Sequence, residues 1–103
     1  MAVEILHLSF DQYHEYRRAD KIGISPKILA VQEGLLGYLI KIPFYGMNLG
    51  DYLDIGGSVT EEMMELIQTL VNKMHSEEIY KEVYSENLLL EIRNGKMEVK
   101  IRM

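Results

Sequence analysis

The sequence predicts an α+β fold built from two helix-and-hairpin units packed together, and three observations carry that expectation. Apolar residues recur at helical spacing between Glu61 and His75, and again between about Phe10 and Lys21. Each helical stretch is followed by two short apolar runs, and the last two runs are joined by Asn94-Gly95, a strong two-residue hairpin signal. The turn-rich segments FYGMNLGD and DIGGSVTEE separate the halves. The 103 residues therefore read helix, hairpin, linker, helix, hairpin, a single domain (1–103) whose first unit covers about residues 1–46 and whose second covers about 58–103.

Taken in order, the first helix places Phe10, Tyr13, Tyr16 and Ile22 on its buried side and is ended by Gly23 and the extended dipeptide before Pro26. KILAVQEG and LLGYLIKIPF then form two strands joined by a short Glu-Gly turn. Ser58 or Thr60 caps the second helix, with Glu61 and Glu62 suited to its positive end. Along that helix Met63, Met64, Leu66, Ile67, Leu70, Val71 and Met74 oppose Glu62, Glu65, Gln68, Asn72 and Lys73. The terminal run KMEVKIRM turns Met97, Val99 and Ile101 inward and Glu98, Lys100 and Arg102 outward; at a sheet edge it would accept a further strand. A faint internal echo, DKIGISPKIL against NKMHSEEIYK, suits an internal repeat. Two such units each leave an apolar face open, and the groove between them is the expected binding place.

Composition narrows the function. Hydrophobic residues make up 48% and charged residues 26%, ordinary for a soluble protein, and no apolar run approaches the roughly 20 residues that span a bilayer. MAVEILHLSF has no basic stretch before its apolar residues and no small-residue cleavage site, so the expected location is intracellular and cytoplasmic, with no membrane association. The absence of Cys excludes disulfides, thiol chemistry and cysteine zinc sites. A net charge of −5 opposes nucleic-acid binding, and Arg17, Arg18 and Lys21 form the only local basic cluster. Abundant Glu, Lys, Ile and Tyr with few Gln leans toward a thermophilic source.

Read end to end, the segments resemble the middle of a eukaryotic-type protein kinase. MAVEIL resembles the strand that ends in the ATP-anchoring Lys, with Glu4 in its place, and FDQYHEYRRADKI resembles the regulatory helix, with Glu15 where its ion-pairing Glu would stand. GISPKILAVQEG and LLGYLIKIPF resemble the next two strands. IPFYGMNLGDYLD is similar to the hinge and the short helix after it, with Gly46, Leu49 and Leu53 in a Gly-x-x-Leu-x-x-x-Leu pattern. TEEMMELIQTLVNKMHSEEI resembles the long helix before the catalytic loop, and NLLLEIRNGKMEVKI the metal-binding hairpin. Phosphoryl transfer requires a Gly-rich phosphate cover, a Lys on the phosphates, a base, and Asp plus Asn on magnesium. Aligned on Asn87, the base triplet reads Tyr80, Lys81, Glu82; the Gly-rich loop would lie ahead of residue 1, and the chain reaches Arg102 and Met103 where the metal-binding Asp would follow. Of these groups only Asn87 matches. The resemblance thus implies a degenerate pseudokinase fragment without catalysis, of the kind found in truncated viral kinase-like proteins that bind a kinase or its partner.

Outside that resemblance, His7, His14 and His75 lack a ligand spacing and read as surface or capping residues. The acidic run Glu77, Glu78, Glu82 and Glu86 reads as a solvated loop face, and Ser25 and Thr60 as turn or cap residues, so no nucleophile, metal site or cofactor is expected. Met63, Met64, Met74 and Met47 fit a core first and an adaptable surface second. Tyrosines in or beside the two linkers, Tyr45, Tyr52, Tyr80 and Tyr84, together with Met47, are the expected peptide-binding residues. The expected function is a non-enzymatic protein or peptide interaction module, a kinase-like decoy or regulator in its narrower form. The alternatives are a minimal nucleotide-binding or phosphotransfer domain using Glu82 and Asn87, and a structural subunit that self-associates as a homodimer.

Overall fold

The computed structural model describes residues 2–103, the side chain of Arg93 excepted. It is an α+β protein with three α-helices and two small antiparallel sheets. Its contacts divide it into two units, one ending at Phe44 and taking in Met103, the other running Tyr45–Arg102.

The first unit holds β1 (Val3–Leu8), α1 (Phe10–Lys21), β2 (Ala30–Gly34) and β3 (Gly37–Pro43), with β3 central in the order β1-β3-β2. Ser9 opens α1 through a capping box: its Oγ accepts from the Gln12 N–H at 3.1 Å, and Gln12 Oε1 accepts from the Ser9 N–H at 2.9 Å. The helix buries Tyr13, Tyr16 and Ala19, a stripe at spacing three. Phe10, expected on that stripe, is 43% exposed and meets Tyr38 edge-on, while Tyr13 stacks on Tyr38 with ring centroids 3.9 Å apart. Tyr13, Tyr16, Ile40 and Ile42 form the core, flanked by Leu6, Leu8 and Ile28, and the Tyr16 hydroxyl donates to the Pro26 carbonyl at 3.2 Å. The strand β1 corresponds to the one that the kinase resemblance implies at MAVEIL. Gly34 pairs with Gly37, so the first hairpin turns at Leu35-Leu36, two residues later than the Glu-Gly turn expected.

The second unit holds β4 (Met47–Asn48), α2 (Leu49–Asp54), α3 (Glu61–Ser76), a 3-10 turn (Ser85–Asn87), β5 (Leu88–Arg93) and β6 (Lys96–Ile101), with sheet order β4-β5-β6. The stretch read as a linker is thus partly structured, with Asn48 capping α2 by accepting the Asp51 N–H at 2.8 Å. Of the two candidate caps of α3, Thr60 serves, its Oγ1 accepting from the Met63 N–H at 3.2 Å. The helix buries Met63, Leu70 and Met74 and packs on β6. Asn94 and Gly95 take φ of 52° and 76°, the two positive values of a type I′ turn, which matches the twist of the β5–β6 hairpin. β6 lies at a sheet edge, with Val99 and Ile101 buried as expected and Met97 half-buried.

Candidate functional site

The pairing of the second sheet decides which side chains share a face. Met47 lies opposite Leu90, Leu90 opposite Val99, Ile92 opposite Met97, and Leu88 opposite Ile101. Partners point the same way and so do residues two apart, so these seven form one apolar face. Cover over that face runs out toward the hairpin turn: Leu88 and Leu90 are each 5% exposed, whereas Ile92 is 70% exposed. At the uncovered end Met47, Tyr52, Leu90, Ile92 and Met97 line a recess of about 410 Å³, with Glu91 at its side. Tyr52 comes from α2 and is backed closely by the chain after that helix. A Cβ on Gly57 would stand 2.5 Å from the ring carbons of Tyr52, so glycine is what lets the backbone seat this ring.

This recess brings together Met47 and Tyr52 from the expected binding set and separates them from the others. Tyr45 is buried at 6%, and its hydroxyl donates to Glu98 Oε1 at 2.8 Å; it is a satisfied core tyrosine and not an exposed anchor. Tyr80 and Tyr84 are exposed, 75% and 54%, on the segment between α3 and the 3-10 turn, and neither lines the recess. The Tyr80 ring lies 5.6 Å from that of His75. Ile92 and Leu90 were not singled out from the sequence; the alternation within LLLEIR marks them as one face but does not reveal where its cover ends.

Of the residues at the kinase-like positions, Glu82 and Asn87 are tied into local hydrogen bonds. Glu4 is half-buried on β1 opposite Ile42, and Glu15 is exposed on α1. Asn87 Oδ1 accepts from the Tyr84 N–H at 3.3 Å, closing the 3-10 turn, while its carbonyl accepts from the Arg102 N–H at 2.7 Å. Glu82 accepts the Tyr84 hydroxyl proton in a hydrogen bond. That bond, partial desolvation and nearby Glu86 together raise the Tyr84 phenol above its ordinary range. Tyr84 therefore bridges Glu82 and Asn87, one through its side chain and the other through its backbone.

His7, His14 and His75 are all exposed, and among the described residues no three His, Asp or Glu side chains are grouped to hold a metal ion. Ser25, expected in a turn or cap, is 2% exposed with a hydroxyl that has no hydrogen-bond partner among the described residues. Met63 and Met74 are core residues, each 1% exposed, and Met64 is 58% exposed. No helix among the described residues is long and apolar enough to cross a membrane. No protein-family model matches the chain, and no curated protein matches it.

Proposed function

We propose that the chain is a non-catalytic interaction module that binds an apolar peptide or protein segment in the recess of the second unit. The observation that carries this reading is the abrupt change along one strand from a covered Leu90 to an uncovered Ile92, which leaves an apolar hollow walled by an aromatic ring and two methionines. Such a site suits recognition by packing, because the tyrosine gives a rigid anchor and the thioethers adapt to the ligand. The edge of β6 does not extend this site, because Val99 is 5% and Ile101 0% exposed and their backbone groups are therefore covered.

The narrower form of the reading is a kinase-like decoy or regulator. It is supported by the element order, strand, helix, two strands, short helix, long helix, 3-10 turn and hairpin, which apart from the added two-residue β4 runs in the sequence the resemblance implies. Glu4 replaces a cation with a carboxylate there, and Asn87 spends its side-chain oxygen on the turn. The experiment is to pan a random-peptide library on the wild type and titrate the selected peptides against Ile92→Glu. Affinity at least about tenfold weaker in the variant is expected; equal affinity would move the site elsewhere. A parallel Mg-ATP titration by calorimetry, with Asn87→Ala as control, is expected to show no saturable binding. Binding lost in Asn87→Ala would favour the nucleotide-binding alternative.

A further inference from the structure

Resting on the reading of the recess as a binding site, we propose that its occupant is the Leu35-Leu36 tip of a second copy of this chain, so that copies join head to tail. Two-residue hairpin turns are normally made of Gly, Asn and Asp, which tolerate positive φ and suit water. Here Leu35 and Leu36 stand 94% and 80% exposed between Gly34 and Gly37, and neither takes a positive φ. The backbone has no need of leucine at either place; polar residues would serve the turn as well. The root of the tip is closely seated. Gly37 has a φ of 147°, and a Cβ on it would stand 2.1 Å from the Leu8 carbonyl oxygen, so the root of the hairpin is pressed against the end of β1. A backbone fixed at its root leaves mainly the side-chain freedom of the two leucines to be lost on docking.

The recess matches the tip in size and chemistry. At roughly 30 Å³ per carbon, about the share of a water molecule, two leucine side chains occupy about 240 Å³, which the 410 Å³ hollow accommodates. Met47 and Met97 can close around branched methyl groups. One opposite-charge pair is available to the contact: Glu33 borders the tip, and Lys96 directly precedes Met97 of the recess in β6. Those same flanks argue against lipid as the occupant. The described residues that line the hollow beside the tip include His7, Gln32 and Glu33 and no Lys or Arg, and the chain carries −5, whereas a membrane-seeking tip has basic residues beside its apolar ones. Because tip and recess are different surfaces, the contact is heterologous and propagates beyond a dimer unless its rotation closes a ring. A contact this small is weak and transient.

The test uses two variants of the full chain, a tip variant, Leu35→Ser with Leu36→Ser, and a recess variant, Ile92→Glu. All three positions are exposed, so both variants are expected to keep the wild-type circular dichroism spectrum and melting temperature. Sedimentation velocity from about 10 μM to about 1 mM is expected to show the wild-type average mass rising with concentration while each variant alone stays monomeric. An equimolar mixture of the two variants is expected to form a dimer and nothing larger, because only one intact tip and one intact recess remain to meet. A recess variant that still self-associates would mean tip-to-tip contact and overturn the proposal. Wild type that sediments as a monomer throughout would overturn it too, as would binding of the wild type, but not the tip variant, to phosphatidylcholine–phosphatidylserine vesicles with no dimer in the mixture. A library peptide that binds wild type and tip variant but not the recess variant, with the mixture monomeric, would remove the second copy while keeping the recess as a site. Failure of both peptide binding and the mixture would remove both.

Discussion

At the residue scale, two residues answer for two different kinds of constraint. Gly37 is constrained by space and by φ: alanine there meets the backbone of Leu8, which cannot swing aside as a side chain could. Gly37→Ala is expected to destabilise the chain by about 2 kcal/mol or more, whereas Gly46→Ala, with nothing within 4 Å of its added Cβ and an ordinary φ, is expected to be neutral or slightly stabilising. Urea denaturation of the two variants checks the contrast, and equal midpoints would contradict it. Tyr84 is constrained by charge. Its hydroxyl donates to Glu82, so ionisation would break that bond and set a phenolate beside two carboxylates. Its folded value is raised, so whatever stability the bond provides is present below the ordinary phenol range near about 10 and is lost as pH rises through the higher folded value. In an ultraviolet titration of the tyrosines, Tyr84→Phe is expected to remove one component that titrates above the ordinary phenol range, and Glu82→Gln to bring that component to lower pH. A titration unchanged by either variant would show that the phenol is not held by Glu82.

At the element scale, the devices that start and turn the chain behave as independent parts. Thr60→Ala removes the acceptor for the Met63 N–H and is expected to lower stability by about 1 kcal/mol, read as an earlier urea midpoint in helical circular dichroism. Thr60→Ser, which keeps the oxygen, is expected to restore most of it. This cap was legible in the sequence as one of two candidates, Ser58 or Thr60, as were the Asn94-Gly95 turn, the stripe of Tyr13 and Tyr16, and the inward alternation of Val99 and Ile101, because each depends on residues a few positions apart. The first turn was misplaced because Leu35 and Leu36 are not turn formers. Register there follows the burial of Ile40 and Ile42 on one face, which outweighs turn chemistry. Tyr45 was misjudged for another reason: its partner Glu98 lies 53 residues away, and local pattern carries no sign of it. Ile92 escaped notice since exposure along a strand depends on the extent of the element above it.

At the scale of the whole molecule, net charge sets how closely copies approach. At neutral pH the charge of −5 opposes association, and toward the isoelectric point near 5.1 that repulsion vanishes. Light scattering at fixed concentration is expected to rise as pH falls from about 7.5 toward about 5.5, with a smaller rise for the chain carrying Leu35→Ser and Leu36→Ser. An identical rise in both would assign the effect to general loss of repulsion and not to the tip.

The two methionines in the recess wall carry a further consequence, since a chain without cysteine leaves its sulfur chemistry to thioethers. Peroxide converts a thioether into a polar sulfoxide, and the reaction follows access. Met64, Met97 and Met47 are expected to gain oxygen before Met63 and Met74, which are each 1% exposed. Oxidation would thus reach the lining of the recess while the interior is still intact, and the surface would lose its affinity for apolar matter before the fold loses its shape. A methionine sulfoxide reductase would reverse that loss, which makes oxidant exposure a reversible off-state for binding.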